Sequence, residues 1–453
     1  MRNAIAENDK QYVLHPYTNL SAHQQLDPFI ITHGEGIYVW DDQGNKLIEG
    51  MSGLWCASLG FNEQRLTDAA TKQMQKLPYS HLFSHRSTEP AIELSQKLID
   101  IAPDNMARVF LVNSGSEAVD MAIKIVWYYN NALDRPKKKK IIARKRAYHG
   151  ITIASGSLTG LPYVHDGFDL PAIPVMHTDT PHYYREGHEG ETEAQFTDRL
   201  AHTLEQQIIA EGPDTIAAFI AEPVMGAGGV LIPPVNYFEK VQAVLNKYDI
   251  LLICDEVICG FARTGQMFGS QTFNAQPDLM TIAKQLSSAY LPIGGVMLSE
   301  KVYDALVTAS DRHGMFGSGN TYGGHPVAAA VAVETLNIYQ ERNIVGHVQS
   351  LSDQFAHGLQ NFTDHPLVGQ ARSTGLIGAL EIVQNKDTKA QYPAEQKVAA
   401  QIANHARKHN LILRPTPGDS VALCPPLIIN EAELQMVFER LGNALEDAHA
   451  SMA

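Results

Sequence analysis

The chain has 453 residues, 44% hydrophobic and 19% charged, which is long enough for two or three domains around an ordinary globular core. Its formal net charge of −14, with no basic stripe, argues against binding to nucleic acid. Four scattered cysteines are too few for a disulfide framework, and we find neither a secretory signal nor a run of about 18 apolar residues. We therefore expect a cytoplasmic protein that has no membrane partner.

The predicted elements, in chain order, indicate an α/β protein. A hairpin comes first, with short strands at 37–40 and 46–48 on either side of an Asp-Gln-Gly turn. From about 91 to about 325, helical patterns alternate with apolar strands, which is typical of a mostly parallel sheet flanked by helices on both faces. The strands of this stretch are expected at 108–112, 141–143, 217–221, 250–254 and 279–283, and its first helices at 91–102 and 116–129.

The pattern changes after about residue 326, where helices flank short strands and indicate a smaller α+β unit. Its helices are expected at 327–339, 345–359 and 394–409, and its strands at 376–380 and 411–413. We expect this unit to pack with the N-terminal hairpin as one small domain. The predicted division is 1–60 for the N-terminal part of the small domain, 61–325 for the large domain and 326–453 for the C-terminal part of the small domain.

Two charged residues follow apolar runs. Asp255 comes directly after residues 250–254, and Lys284 follows residues 279–283. Runs of this kind are typical of buried parallel strands, and α/β enzymes place their ligands at the carboxyl edge of such strands. One acid and one amine in a single crevice meet the needs of a pyridoxal phosphate (PLP) site, because the lysine forms the Schiff base and the acid keeps the pyridine nitrogen protonated. The alternative for Lys284 is a strand-end lysine that extends to water.

The segment Asn113–Glu117 lies between a predicted strand and a predicted helix. Gly115 and Ser116 begin that helix, whose free N–H groups and dipole favour an anion such as a phosphate. Ordinary helix capping involving Ser116 is the alternative. Because a lysine and an acid occur elsewhere in the chain, we favour the phosphate site.

Four further positions suit the same chemistry, and each also has an ordinary structural explanation. The ring of Tyr148, in the segment Tyr148-His149-Gly150, can stack on a planar cofactor. Glu222 ends a strand, where a buried carboxylate needs a partner or a function. Thr321 can offer a hydroxyl group to a phosphate from a glycine-lined loop, or is a turn residue. Arg414 suits a carboxylate clamp, or is a surface arginine.

Two other patterns do not carry a site. The glycine run 226–229 lacks the spacing of a dinucleotide-binding loop and is followed by prolines. His177, His182 and His188 fit no zinc signature, so we predict a polar loop there and no metal.

Taken together, these segments resemble the class III aminotransferases of PLP fold type I, and most of all the amine:pyruvate ω-transaminases. The resemblance extends from about Tyr17 to about Pro426. Its motifs follow in family order: Ser52–Trp55, Asn113–Glu117, Ala147–Gly150, Ala221–Val224, Cys254–Val257, Gly260-Phe, Arg263–Gly265 and Ala283-Lys284.

The resemblance implies a cofactor site in which Lys284 is the Schiff-base lysine and Asp255 pairs with the pyridine nitrogen. Val257 and Tyr148 then contact the two faces of the ring, and Glu222 lies near Asp255. The remaining cofactor contacts implied are His149, Gly115 and Ser116, with Thr321 contributed by the partner subunit of a homodimer, which can pair into a tetramer.

The resemblance also implies a substrate pocket. An apolar amine pocket is formed by Tyr17, Trp55, Leu82 and Phe83. Arg414 corresponds to a mobile arginine that binds the carboxylate of the acceptor and swings away for an uncharged amine. Leu82 stands where users of aryl amines often have an aromatic residue, so straight-chain amines, diamines such as putrescine, taurine and β-alanine all remain open as donors.

The implied function is a PLP-dependent ω-aminotransferase that moves an amino group from a primary amine, a diamine or an ω-amino acid to pyruvate by a ping-pong mechanism. The alternatives are an aminomutase, a racemase or a decarboxylase on the same fold, and a catalytically silent PLP-binding homologue. The intact pair of Asp255 and Lys284 argues against the silent homologue.

Overall fold

The structure, a computed structural model, describes residues 2–452. Its strands are β1 (Ile31–Glu35), β2 (Tyr38–Asp41), β3 (Lys46–Glu49), β4 (Met106–Val112), β5 (Lys140–Arg144), β6 (Val175–Thr178), β7 (Ile216–Ala221), β8 (Leu251–Asp255), β9 (Leu279–Ile282), β10 (Gly294–Ser299), β11 (Val368–Thr374), β12 (Ile377–Ile382), β13 (Leu411–Ile412), β14 (Arg414–Thr416) and β15 (Ser420–Leu423).

Helices connect and cover these strands. They are α1 (Arg2–Tyr12), α2 (Leu20–Gln25), α3 (Ser52–Trp55), α4 (Gln64–Lys76), α5 (Glu89–Ile101), α6 (Gly115–Ala132), α7 (Ile153–Leu158), α8 (Pro162–His165), α9 (Tyr183–Glu186), α10 (Glu193–Glu211), α11 (Tyr237–Lys247), α12 (Gly269–Thr272), α13 (Glu300–His313), α14 (Pro326–Glu341), α15 (Ile344–Gln360), α16 (Val398–Lys408) and α17 (Glu431–Met452). Within residues 2–452, no helix is both long enough and apolar enough to span a bilayer.

A seven-stranded sheet with the order β4-β10-β9-β8-β7-β5-β6 forms the centre of the fold. The strands from β9 to β6 pair in parallel, whereas β10 runs antiparallel to both β4 and β9. All residues of β7 and β8 are buried, as expected for strands with helices on both faces. This arrangement confirms the predicted α/β fold with a large, mostly parallel sheet.

The two faces of the sheet belong to two separate apolar cores. Phe219 of β7 and Leu252 of β8 lie in one core with residues of α10 and α11. The next residues along each strand, Ile220 and Ile253, lie in the other core with the apolar side of α6. This alternation with a period of two follows from the pleat of a β-strand. Because the strands from β9 to β6 run parallel, their carboxyl ends lie at one edge of the sheet.

Two four-stranded sheets complete the fold, one with the order β1-β2-β3-β13 and one with the order β11-β12-β15-β14. In the first, Leu411 of β13 pairs in parallel with Ile48 of β3, so the N-terminal hairpin and the C-terminal part of the chain share a sheet. The second sheet is antiparallel throughout. The three-part division of the chain at residues 60 and 325 stays a prediction.

Two local predictions were wrong. The helix expected over 394–409 is interrupted at Lys397, whose φ of 48° is left-handed, so a 3-10 turn precedes α16. The segment around His177, predicted to be a loop, contains β6 and α9, because β6 adds a parallel edge strand to β5. The three histidines of this segment do not converge. Nε2 of His177 lies 3.1 Å from the carbonyl oxygen of Leu158, whereas His182 faces Glu381.

Candidate active site

A cavity of about 370 Å³ opens at the carboxyl ends of the central strands. Asp255 ends β8, Glu222 follows β7 and Lys284 follows β9, so three strands of the sheet deliver one polar side chain each. Most of the sequence-predicted site residues line this one cavity: Tyr17, Trp55, Gly115, Ser116, Tyr148, His149, Glu222, Asp255, Val257, Lys284 and Arg414. The crevice predicted for Asp255 and Lys284 is therefore present, although their proposed roles in it stay predictions.

The carboxylate of Asp255 is buried and accepts three hydrogen bonds. Its Oδ2 lies 2.7 Å from Nδ1 of His149, and its Oδ1 accepts from the hydroxyl group of Thr281 at 3.0 Å and from the N–H of Val257 at 3.2 Å. An ionised carboxylate only accepts hydrogen bonds, so Nδ1 of His149 carries the proton. These donors offset the cost of burying the charge and fix the direction in which the carboxylate faces the cavity.

The side chain of His149 is fully buried behind Asp255. The N–H of its backbone donates to the hydroxyl oxygen of Thr159 at 3.0 Å, which fixes the start of the segment. Within residues 2–452, Nε2 of His149 has no hydrogen-bond partner. The ring lines the cavity, and its one polar side-chain contact orients the carboxylate of Asp255.

Ala283 separates Lys284 from the end of β9, and Lys284 begins a 3-10 turn with a left-handed φ of 47°. Backbone conformations of this kind in non-glycine residues cluster at functional sites. Burial lowers the pKa of Lys284, and the negative charge of Asp255 acts in the opposite direction. A lowered pKa increases the fraction of neutral amine, which is the form that attacks a carbonyl carbon and accepts a proton.

Glu222 is buried beside Asp255 and is satisfied by backbone groups. Its Oε1 accepts from the N–H of Tyr148 at 3.1 Å, and its Oε2 accepts from the N–H of Gly226 at 2.9 Å. Burial raises the pKa of Glu222, and the nearby carboxylate of Asp255 raises it further. The glycine run that begins at Gly226 therefore brings a backbone N–H to a carboxylate, which gives it a role unrelated to dinucleotides.

Capping of α6 is performed by residues other than Ser116. The hydroxyl oxygen of Ser114 accepts from the N–H of Glu117 at 3.2 Å, and the carboxylate of Glu117 accepts from the N–H of Asn113 at 2.8 Å. The first bond makes Ser114 the N-cap, and the second holds the residue before the N-cap against the first turn of α6. Capping by Ser116, the alternative considered from the sequence, is wrong. Ser116 is the second residue of α6, in its first turn, and lines the cavity.

The wall of the cavity at the start of α6 is formed by small residues and backbone. A Cβ atom at Gly115 would lie 3.0 Å from Cγ1 of Val257, and one at Gly150, whose φ is +129°, would lie 2.5 Å from Oγ of Ser116. The N–H of Ile151 donates to the same Oγ at 3.2 Å. Free N–H groups at a helix N-terminus, a hydroxyl group and a close backbone are the donor set that a phosphate needs. With Lys284 and Asp255 opposite, these residues fit PLP.

Aromatic side chains and one cation surround the outer part of the cavity. The hydroxyl group of Tyr17 donates to that of Tyr148 at 3.4 Å, and the ring of Tyr163 meets the ring of Tyr17 edge-on at 6.1 Å. Burial raises the pKa of Tyr148, and the positive charge of Arg414 opposes this rise. Trp55, at the end of α3, is only 2% exposed. The cavity thus combines apolar walls with a single guanidinium group.

Three predicted site residues do not line the cavity of a single chain. Leu82 and Phe83 pack against the loop at Gly319–Gly324, and the hydroxyl group of Tyr79 donates to the carbonyl oxygen of Thr321 at 2.9 Å. We call Tyr79, Leu82, Phe83, Thr321 and Tyr322 the outer patch. Phe83 and Tyr322 are 45% and 61% exposed. The roles of Leu82, Phe83 and Thr321 stay predictions.

Thr281 and Tyr163 are among the residues of the site that sequence reasoning missed. Thr281 supports Asp255, and its signal was a polar residue inside the otherwise apolar run of β9. Tyr163 lines the cavity beside Tyr17, but it comes from the short helix α8, and no pattern in the sequence distinguishes it.

Comparison with known proteins identifies the family. The sequence profile of the family Aminotransferase class-III matches residues 20–445. Gamma aminobutyrate transaminase 3 of Solanum lycopersicum, described as chloroplastic, is 50% identical over 436 residues, which cover 96% of this chain and 84% of that protein. Gamma-aminobutyrate transaminase 1 of Oryza sativa, described as mitochondrial, is 49% identical over 442 residues, which cover 97% of this chain and 86% of that protein.

Solved structures agree with this. The omega transaminase from Pseudomonas jessenii in complex with PMP, the aminated form of PLP, has a TM-score of 0.97 at 54% identity, and the alignment covers 98% of each chain. A transaminase solved with L-alanine has a TM-score of 0.92 at 51% identity, covering 94% of this chain and 100% of that chain. The predictions of a PLP fold type I enzyme and of PLP as cofactor are confirmed. The chain belongs to the class III aminotransferases, which are PLP-dependent transaminases, and its structural neighbours are ω-transaminases.

Proposed function

We propose that the protein is an ω-aminotransferase that moves the amino group of a primary amine, a diamine or an ω-amino acid to pyruvate in two half-reactions. The observation that carries this proposal is the position of Arg414, which lines the same cavity as Asp255 and Lys284. A guanidinium group among apolar and aromatic walls suits an acceptor that carries one carboxylate.

Different residues of the cavity are suited to different steps of a transamination. When bound, PLP supplies a ring that draws off the electrons released at the Cα of the substrate. Asp255, fixed by His149 and Thr281, is placed to keep the pyridine nitrogen protonated. Lys284, with its lowered pKa, is placed to take the proton from the Cα of the substrate and to deliver it to the C4′ carbon of the cofactor.

Arg414 is suited to bind the carboxylate of the acceptor. The same pocket must accept an uncharged amine in one half-reaction and a keto acid in the other. A guanidinium group that binds the carboxylate must leave the pocket when no carboxylate is present. Its position on the short strand β14, at the rim of the cavity, supports a swinging role.

The names of the known relatives support an ω-amino acid as donor and pyruvate as acceptor. The plant relatives are named gamma-aminobutyrate transaminases, and γ-aminobutyrate is an ω-amino acid. L-alanine, the compound named with one structural neighbour, is the product of amino transfer to pyruvate. We therefore expect γ-aminobutyrate and straight-chain diamines among the donors.

The test is a panel of donors with pyruvate as acceptor, followed by quantification of alanine. We expect one alanine for each donor amine consumed. Release of carbon dioxide, or isomerisation of the donor without alanine, would assign the protein to decarboxylases, mutases or racemases of the same fold.

We also propose that the protein is a homodimer in which the outer patch of one subunit faces the cavity of the other. Exposed aromatic rings on the outer patch support this, because exposed apolar patches mark interaction surfaces. The rim of the cavity is also apolar and exposed, since Tyr17 and Leu54 are 59% and 51% exposed. In such a dimer Thr321 can reach a phosphate held at Ser116 of the partner subunit.

Complementation tests the shared site. We expect chains with Lys284→Ala and chains with Thr321→Asp to be inactive alone, the second because an added negative charge repels the phosphate. A mixed dimer has one site with both wild-type residues if Thr321 acts across the interface. Co-expression should then restore part of the activity, whereas no recovery despite a dimeric mass in light scattering would contradict the shared site.

We further propose a cytoplasmic location, although both plant relatives are described as organellar. Among the described residues the cysteines are unpaired, and Cys254, Cys259 and Cys424 are buried. Reduced, buried thiols suit a reducing compartment. Fractionation of the source cells, with activity followed in each fraction, tests this location.

A further inference from the structure

In the N-terminal segment, two histidine side chains contact the same carboxylate. Nε2 of His15 lies 3.1 Å from both carboxylate oxygens of Asp9, and Nε2 of His23 lies 3.0 Å from Oδ2 of the same residue. We call Asp9, His15 and His23 the N-terminal triad. One potential ligand atom from each residue lies within 4.8 Å of the other two.

Three separate pieces of the chain build this triad. Asp9 belongs to α1, His15 to the connection that follows, and His23 to α2. The two imidazole rings lie 4.2 Å apart at an angle of 44°. The side chains of Asp9, His15 and His23 are 19%, 30% and 12% exposed, so the three ligand atoms meet in a partly shielded position that water still reaches.

The distances between the carboxylate and the two imidazole nitrogens are close to those of a metal site. Zinc binds imidazole nitrogen at about 2.0–2.1 Å and carboxylate oxygen at about 2.0–2.2 Å, so neighbouring ligand atoms of a tetrahedral site lie about 3.3–3.5 Å apart. The observed N···O distances of 3.0 and 3.1 Å require shifts of only a few tenths of an ångström. Two imidazoles with one carboxylate favour Zn²⁺ and its transition-metal neighbours over Mg²⁺ and Ca²⁺, which prefer oxygen ligands.

A second group of similar composition is looser. Among residues 2–452, His365, Glu446 and His449 also place ligand atoms within 4.8 Å of one another. However, Nε2 of His365 lies 3.7 Å from the carboxylate of Glu446, whose side chain is 74% exposed. Holding that carboxylate in place costs more conformational entropy than holding Asp9. This second group serves as an internal control.

We propose that Asp9, His15 and His23 form a binding site for a divalent transition-metal ion of the Zn²⁺ class, with water in the remaining position. The site lies close in sequence to the active site, because Pro16 and Tyr17 follow His15 directly and line the cavity. A metal ion held by α1, the connection and α2 fixes the segment from which Tyr17 extends. The competing explanation is a carboxylate that accepts hydrogen bonds from two imidazoles and binds no metal.

Metal titration of the full-length, PLP-loaded enzyme tests the proposal. After dialysis against a chelator, ZnCl₂ is titrated by calorimetry into wild type, His23→Gln, Asp9→Asn and the control His365→Gln. Because every variant carries the same PLP, zinc bound by the cofactor contributes equally to all of them. Loss of an outer-shell partner of a metal ligand costs about 10–100-fold in affinity, so loss of a ligand itself should cost at least about 100-fold.

We expect saturation at one zinc ion per chain in wild type and in His365→Gln, and an affinity at least about 100-fold weaker in the two triad variants. Co²⁺ provides a readout on wild type alone, since a tetrahedral N/O site gives visible bands at longer wavelength than the PLP absorption. Absence of saturable uptake by wild type overturns the proposal. So does equal affinity in His23→Gln, or a loss confined to His365→Gln.

Discussion

Removing the hydroxyl group of Thr281 tests whether the support of Asp255 matters for catalysis. Thr281 is fully buried, and its hydroxyl group donates one of the three hydrogen bonds that Asp255 accepts, at 3.0 Å. Thr281→Val keeps the branched shape of the side chain and removes this donor. His149 and the N–H of Val257 still donate to the carboxylate, so the cofactor site remains assembled.

The magnitude follows from the charge on the acceptor. A hydrogen bond to a charged group contributes about 1.5–3 kcal/mol, and 1.36 kcal/mol corresponds to about tenfold in rate. The two donors that remain take over part of this contribution. We therefore expect the first half-reaction of Thr281→Val to be about tenfold slower, and about 100-fold slower at most.

The assay is stopped-flow absorbance of the PLP band after mixing with amine, at saturating PLP and amine. Thr281→Ser is the matched control, because it keeps the donor and loses only a methyl group. A Thr281→Val rate equal to that of wild type would refute the reasoning. Equal slowing in Thr281→Ser would attribute the effect to packing instead of the hydrogen bond.

Three further predictions concern the acceptor, the cofactor and pH. Arg414→Ala should lose at least about 100-fold in kcat/KM for pyruvate and little for an aldehyde acceptor, since only pyruvate carries a carboxylate; equal losses remove the assigned role. Gly150→Ala should weaken PLP binding, measured by titrating the apoenzyme, because its Cβ would displace the hydroxyl group of Ser116; unchanged affinity contradicts the cradle. Burial raises the pKa of Glu49 from an ordinary 4.5 to about 7. The contribution of Glu49 to the free energy of unfolding is therefore complete below pH 4.5 and is lost as the pH rises to about 7. In denaturant unfolding, the free energy of unfolding of Glu49→Gln relative to wild type should increase by up to about 3 kcal/mol between pH 5 and pH 8. A difference independent of pH contradicts this.

The chemistry at the sheet edge could be predicted from the sequence because it follows from local patterns. Asp255 and Lys284 each come at the end of an apolar run, and runs of that length form buried parallel strands. The position of Gly115 at the start of a helix follows from the change of periodicity after β4. Such signals place each residue at the carboxyl end of a strand, and the parallel pairing of the strands then brings these ends side by side.

Contacts between distant residues could not be predicted in this way. The hydrogen bond between His149 and Asp255 joins residues 106 positions apart, and no local pattern indicates which polar groups will meet. The antiparallel direction of β10 also depends on its neighbours in the sheet. The N-terminal triad was missed for a similar reason, because its ligands lie 6 and 14 positions from Asp9 and match no regular zinc spacing.

The central claim is that Lys284, Asp255 and Arg414 form one site for amino transfer from an amine to pyruvate. Its most direct test is a single-turnover cycle on the PLP-loaded enzyme, followed by visible absorbance and by quantification of alanine. Addition of a donor amine should remove the visible PLP band, and pyruvate should restore it with release of one alanine per active site. A band that does not respond to any amine of the panel, or that returns without alanine, would contradict the account.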